Sequence, residues 1–376
     1  MPKVRLAVVA VAPAPYIDPF FACLAGTPGI DLKVFYLHSQ DSMRSWTPEG
    51  AYAAETLPSL VPEPLYSLPV AGAVNLSLPG HLDEFQPTHL IVYGHSYWSQ
   101  FAAMRWARRN QVPYFLRCDH TPMNIFASRQ GGRVRWSRLR DNVIRAAAAR
   151  SSGALTIGRE NDRFWAYFRI PDERRFFVPF SVCVDLFAEV ADRLRTNRMS
   201  LRASKGLPAG RLLLYAGRFV EKKNLSALIN ALGLADRPDL RLVLVGDGPL
   251  HEGLRAQAQE LPPDQVTFLP FGSQPERVEI YAAVDGLVLP SFTDGWGLVG
   301  KEAMAAGLPD LVHPGKNGFL FDPTRTDSIA GALMAFADLS DPDVLRYGQA
   351  SRDIIRDWSY EAAVAGVRQA LEAVPV

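Results

Sequence analysis

Leu287-Val-Leu-Pro-Ser-Phe-Thr-Asp294-Gly-Trp-Gly297-Leu298-Val299-Gly-Lys-Glu302-Ala-Met-Ala-Ala-Gly-Leu-Pro309 reads as a buried strand, a Gly-containing turn and an amphipathic helix. A helix start of this kind presents unpaired backbone N–H groups and the positive end of the helix dipole. That makes a ready place for a phosphate, backed here by the N–H groups of Gly297, Leu298 and Val299. Asp294 and Glu302 bracket the turn and leave carboxylates for hydroxyl groups. Upstream, Gly217-Arg218-Phe-Val-Glu-Lys222-Lys223-Asn224 follows another apolar strand and supplies cations five residues apart. Together these pieces describe a site for a nucleoside diphosphate carrying a sugar.

The whole chain bounds that reading. Its 376 residues exceed one ordinary core, so two domains are expected. A hydrophobic share of 48% and a charged share of 21% fit a globular protein. The net charge of +1 gives no global field for nucleic acid. Cys23, Cys118 and Cys183 lie far apart without metal-ligand spacing, which favours a reducing compartment and no disulfide framework. The apolar start at 4–12 reads as a first strand, not a signal peptide. No apolar run reaches the ~18 residues of a membrane helix, so a cytoplasmic protein is expected.

Short apolar runs at 4–12, 31–36, 88–93, 113–117, 153–157, 176–179, 211–216, 240–245, 266–269 and 286–290 read as buried strands. Helical patterns occupy 97–110, 134–150, 159–168, 224–232, 249–260, 275–283, 298–306, 326–338 and 343–356. Such alternation predicts an α/β protein with two doubly wound parallel sheets. The polar stretch 188–210 separates the two series, its segment 192–209 reads as leading into the second domain, and the Pro-rich stretch 43–80 as an irregular surface excursion.

Four segments resemble a known family in order and spacing: Gly217-Arg218 … Lys223; Val245-Gly246-Asp247-Gly248-Pro249-Leu250; the Asp294–Glu302 segment running on to Pro309; and Asn317-Gly318-Phe319-Leu320. Over nearly the whole chain, the sequence resembles the retaining glycosyltransferases of family 4. The resemblance implies the GT-B fold, two facing Rossmann-like domains with the active site in the cleft between them. It implies an acceptor-binding domain at 1–188, joined by a returning C-terminal helix at 358–376, and a donor-binding domain at 189–357. It also implies metal-independent transfer of a sugar from a nucleotide-diphosphate sugar to an acceptor hydroxyl, with no resident cofactor, in polysaccharide or glycoconjugate synthesis.

Roles follow residue by residue. Arg218 and Lys223 suit a diphosphate and the charge growing on a leaving group, and two cations at a helix start argue for an anion there. By resemblance Glu302 accepts the ribose hydroxyls, and Asp294 holds the donor sugar, although Asp294 also suits a helix N-cap. Gly246 makes the strand-to-helix turn near the donor; a third glycine is missing, so the dinucleotide fingerprint fails. Phe271 is expected to meet the nucleobase through its backbone, or to be a plain strand end. His120 is expected at the scissile bond, with His95 and Tyr16 on the acceptor; structural hydrogen bonding is the alternative for each histidine. The arginines of 129–150, with Trp136, Leu139 and Val143 at helical spacing, suit either a solvated face or anionic lipid at the inner face of the membrane. Asp341-Pro-Asp343 lies between late helices and carries no metal expectation.

Three departures from the family pattern stand out. Asp294 replaces a glutamate. The loop Ala12-Pro-Ala-Pro15-Tyr16-Ile-Asp18 lacks a glycine pair. Pro309 is followed directly by Asp310, where about a dozen residues of strand and loop are expected. Either the natural chain carries a loop there or a strand has been deleted. A non-catalytic nucleotide-sugar-binding subunit and a nucleotide-sugar epimerase are the rival readings.

Overall fold

The structure, a computed structural model, describes residues 4–14, 17–39, 51–62, 65, 72–122, 134–292, 298–305 and 314–375, with the side chains of 134–137, 139, 274, 275, 298 and 299 left aside. Two compact units divide the chain, one of Met1–Ser181 with Tyr360–Val376, the other of Val182–Ser359.

The first unit runs β1 (Val4–Ala10), α1 (Asp18–Ala25), β2 (Ile30–Tyr36), β3 (Ala53–Thr56), α2 (Leu78–Phe85), β4 (His89–Tyr93), α3 (Trp98–Arg109), β5 (Tyr114–Arg117), α4 (Val134–Arg150), β6 (Gly153–Thr156), α5 (Arg159–Tyr167) and β7 (Arg175–Phe177). The strands pair in parallel in the order β3-β2-β1-β4-β5-β6-β7. Inner strands such as β5 and β6 are buried at every residue, as sheets covered on both faces require. The core between sheet and helices is built on Phe35, Leu90, Val92, Leu116, Phe164 and Trp165. Each such side chain contributes about 1.5–3 kcal/mol by leaving water.

In the second unit follow α6 (Val184–Arg195), α7 (Arg198–Ser204), β8 (Arg211–Ala216), α8 (Leu225–Ala235), β9 (Leu240–Val245), α9 (His251–Ala258), β10 (Val266–Leu269), α10 (Gln274–Ala283), β11 (Gly286–Leu287), α11 (Leu298–Ala305), α12 (Thr326–Ala337) and α13 (Asp341–Ile355). Its parallel sheet has the order β10-β9-β8-β11 among the described residues. A last helix, α14 (Tyr360–Ala373), belongs to the first unit, where it packs on α1, β6 and β7. Gly366 makes that packing close, since a Cβ there would sit 2.0 Å from the Phe177 carbonyl oxygen.

The structure corrects the sequence reading at several elements. The polar stretch 188–210 is largely helical and part of the second unit itself. Val184, Phe187 and Ala191 of α6 recur along one helix face and enter the second core. Arg198 and Arg202 of α7 bond Asp285 at the foot of β11, at 2.6 and 2.9 Å. A boundary at 188/189 would therefore cut α6; the units divide after Ser181. Strand β3 lies inside the stretch read as irregular, an edge strand too exposed to show an apolar run. Helices α1 and α2 have eight residues each, too few turns to show a helical period in the sequence. In α4 the buried stripe is Asp141, Ile144, Ala147 and Ala148, and Val143 is 39% exposed instead of packing inward. Trp136 and Leu139 have no described side chains. The junction Pro309–Asp310 lies outside the described residues, as do Asp294, Gly297 and Tyr16.

Candidate functional site

Parallel strands send all their following loops to one edge. In the second sheet the chain order reverses between β8 and β11, and crevices form at such a reversal. The loop after β8 carries Arg218 and Lys223. The chain after β11 runs through Pro290, Ser291 and Phe292 towards α11. Arg218, Lys223 and the described start of the chain towards α11 therefore share one sheet edge.

The loops at this edge are tied together by hydrogen bonds. Gly217 N donates to Val245 O at 2.9 Å, Phe219 N to Asp247 O at 2.9 Å and Gly246 N to Leu269 O at 3.0 Å. Gly246 has φ +148°, and a Cβ would fall 1.9 Å from Gly217 O, so only glycine lets the two turns touch. Tyr215 Oη donates to Arg218 O at 3.1 Å. A short 3-10 turn, Glu221–Lys223, then leads to Asn224 in the left-handed conformation (φ 56°). Asn224 Nδ2 donates to Pro323 O at 2.7 Å and Pro290 O at 3.3 Å, and Phe292 N donates to Lys222 O at 3.0 Å. One amide thus pins the cationic loop to the chain after β11. Arg218 is exposed and Lys223 half-buried.

Glu302, on α11, is 13% exposed and held by α10. Arg277 donates twice, from Nη2 to Oε1 at 3.1 Å and from Nε to Oε2 at 3.3 Å. Tyr281 Oη donates to Oε2 at 2.8 Å. Burial opposes the charge on Arg277, but the Glu302 carboxylate outweighs it and raises its pKa. Burial, then the charge of Glu302, pushes the Tyr281 hydroxyl well above its ordinary value, so it stays a donor. A carboxylate offers about four acceptor positions, and three are taken here. Two ribose hydroxyls would exceed what remains, so the expected ribose contact requires Arg277 or Tyr281 to yield a position. Phe271, 44% exposed, lies under the Arg277 guanidinium at 5.3 Å. The α10 residues Arg277 and Tyr281 escaped the sequence reading, as did Asn224; they carry no motif, only a place on a helix or turn.

The first sheet reverses between β1 and β4. His95 follows β4, and Cys118, Asp119 and His120 follow β5. His120 Nδ1 and His95 Nε2 lie 3.1 Å apart. His95 was expected on an acceptor, but it is 3% exposed, stacked on Phe164 and edge-on to Trp165. It stands behind the half-buried His120 and meets that ring, not solvent. Burial, then the charge of His120, lowers the His95 pKa to about 3. Burial also lowers that of His120, against the charge of Asp119. Burial pushes the Cys118 thiol up to about 12. Asn161, fully buried on α5, donates to Cys118 O at 3.1 Å and His120 O at 2.8 Å and fixes this turn. Tyr16 lies outside the described residues; Asp18, at the start of α1, accepts from Tyr52 Oη at 2.6 Å and Tyr36 Oη at 3.4 Å.

Residues 198–353 match the family described as glycosyl transferases group 1. The chain is 30% identical over 330 residues to the D-inositol 3-phosphate glycosyltransferase of Streptomyces scabiei, covering 78% of this chain and 69% of that protein. The sucrose-phosphate synthase of Thermosynechococcus elongatus superposes with a TM-score of 0.72 at 20% identity, covering 98% of each chain. HepE of Anabaena, solved in complex with UDP-glucose, gives a TM-score of 0.71 at 14% identity, covering 99% of this chain and 100% of that one.

Proposed function

The chain belongs to the group 1 glycosyltransferases and has the GT-B fold, and from that premise we propose a retaining, metal-independent enzyme of family 4. Its donor is a nucleotide-diphosphate sugar, and its acceptor is a hydroxyl on a sugar, a lipid-linked glycan or a small molecule. One observation carries the donor assignment. At the reversal point of the second sheet, the amide of Asn224 binds the cationic loop of Arg218 and Lys223 to the chain that leads into α11.

In this reading Arg218 and Lys223 neutralise the diphosphate, and the first backbone N–H groups of α11, with Gly297, receive the β-phosphate. Asp294 holds hydroxyls of the transferred sugar and Glu302 those of the ribose, with Phe271 and Gly246 beside the nucleoside. As the anomeric C–O bond to the β-phosphate breaks, the electron pair goes to the phosphate oxygen. The acceptor oxygen bonds the anomeric carbon on the same face, and its proton passes to the departing phosphate. Two fixed cations then stabilise the growing negative charge without a divalent ion at the diphosphate. On the acceptor side, the half-buried His120 orients the hydroxyl, supported from behind by His95. Among the described residues no helix is long and apolar enough to cross a membrane. The exposed Arg138, Arg140 and Arg150 of α4 are the candidates for contact with an anionic membrane face, where a lipid-linked acceptor is reached.

Calorimetric titration of the full chain with UDP, GDP, ADP and dTDP, in the presence of a chelator, tests the donor site. Selective binding of one nucleotide is expected. No binding of any of them without a metal would sink the reading.

A further inference from the structure

The described residues hold one cluster of metal-ligating side chains, and it lies in the first unit. His95, Cys118 and His120 bring a ligand atom each to within 4.8 Å of one another. We propose that this cluster is a binding site for a borderline-soft divalent cation, best matched by Zn2+, on His95 Nε2, Cys118 Sγ and His120 Nδ1. The inference does not depend on the donor reading, and a bound ion would take the place of the direct His95–His120 contact invoked for the acceptor hydroxyl.

The topology brings the three ligands together. β4 and β5 run in parallel with Tyr93 opposite Arg117. His95, two residues past Tyr93, and Cys118 and His120, one and three past Arg117, therefore emerge at the same edge. The sequence spacing hid this, because His95 is 23 residues before Cys118 and the Cys-x-His pair alone is weak. The two imidazole nitrogens already face each other at 3.1 Å. A tetrahedral ion with Zn–N bonds of ~2.0–2.1 Å would set them about 3.3 Å apart. The sulfur has about 1 Å to travel from the outer limit of the cluster to reach a Zn–S bond of ~2.3 Å.

The surroundings are those of a held ligand set. Asn161 Nδ2 points at Cys118 Sγ from 3.8 Å, and bonds the carbonyls of Cys118 and His120. Its own Oδ1 accepts from Ile157 N at 3.1 Å, so the amide cannot turn freely. Partners behind the ligands commonly account for 10–100-fold in metal affinity. Phe164 and Trp165 wall the His95 ring. Cys118 would bind as thiolate, its proton leaving to solvent. That thiolate and the adjacent Asp119 carboxylate offset Arg140, whose charge reaches both histidines. One thiolate and two imidazoles exclude Mg2+ and Ca2+, which take oxygen ligands, and leave a fourth position open.

Co2+ is the probe, added anaerobically to the metal-stripped full chain. The expected result is one equivalent bound, with the visible bands of a tetrahedral ion and a thiolate-to-cobalt charge-transfer band in the near ultraviolet, both bleached by Zn2+. Cys118→Ser should lose the charge-transfer band, which separates this thiol from Cys23 and Cys183. If Cys118→Ser does not fold, His95→Gln carries the test, with an affinity loss of at least about tenfold. Absence of the charge-transfer band, its persistence in Cys118→Ser, or an unchanged affinity in His95→Gln would each overturn the proposal.

Discussion

In unit 2 the loops at the strand ends carry permanent charge close to solvent; in unit 1 they carry groups whose charge burial removes. Arg218 is exposed and Lys223 half-buried, on a loop fastened by backbone bonds and one asparagine amide. His95 and Cys118 are buried, with pKa values moved to about 3 and about 12. Both edges come from the same parallel-sheet geometry. The difference teaches that one sheet edge is built to meet an anion with ready charge, and the other, without an ion, to keep polar groups neutral.

The largest expected effect is at the charged edge. Arg218→Ala should lower kcat by about 10²–10³-fold, the usual cost of losing one preorganised donor at a developing charge. Its melting temperature should stay near that of the parent, because Arg218 is an exposed loop side chain. Retained turnover in Arg218→Ala would break the comparison, since the ready charge would then serve nothing.

Acid tests the neutral edge. An unfolded histidine titrates near ~6.5, and His95 in the fold only at about 3. The unfolded chain therefore takes up the proton first on acidification. The stability that His95 contributes is present above pH ~6.5 and is lost as pH falls from there towards 3. Burial lowers His38, to about 4, and His89 in the same sense, and both lie in unit 1. Calorimetric scans of the metal-stripped chain between pH 7 and pH 4 should thus show a transition belonging to unit 1 that moves down more than that of unit 2. His95→Phe should flatten part of this dependence. Equal shifts of the two transitions would remove the contrast.

Asn224→Ala ranks next. Two carbonyls, of Pro290 and Pro323, lose their donor, and a left-handed backbone loses a residue that tolerates it. A destabilisation of about 1–3 kcal/mol is expected, together with weaker nucleotide binding. Asn224→Gly restores the backbone but not the clamp. A Gly variant that matches the parent in nucleotide affinity would show that the loop needs the turn and not the amide.

These residues also mark how far the sequence was legible. Strands such as 211–216 and 240–245 announce themselves because both faces are buried, so every residue is apolar. Arg218, Gly246 and Glu302 were legible because their chemistry is tied to a strand end or a helix start. Helix α7 was not, because Arg198 and Arg202 turn inward to Asp285, a long-range pairing that no local pattern reports. The His95–Cys118–His120 cluster was hidden for the same reason: it depends on the register of β4 against β5. Asn224 and Arg277 act on partners 66 and 25 residues away.

Arg277 gives the smallest and finest prediction. Its partner is a carboxylate placed for the donor, so Arg277 sits between the two chemistries compared above. It lies over Phe271 and holds both oxygens of Glu302. If it sets the direction of that carboxylate, Arg277→Leu should raise the donor KM about 3–10-fold, the effect of one to two lost hydrogen bonds. kcat should change little, since the hydrogen bonds of Arg277 among the described residues go to Glu302 and Gly272 and not to the cationic loop. Arg277→Lys should not restore the KM, because an ammonium cannot bridge both oxygens in one plane. Glu302 keeps its bond from Tyr281 in every variant, which guards against loss of the fold. A fall in KM would have the opposite meaning. Arg277 would then compete with the ribose for Glu302, and removing it would free acceptor positions that the nucleoside needs.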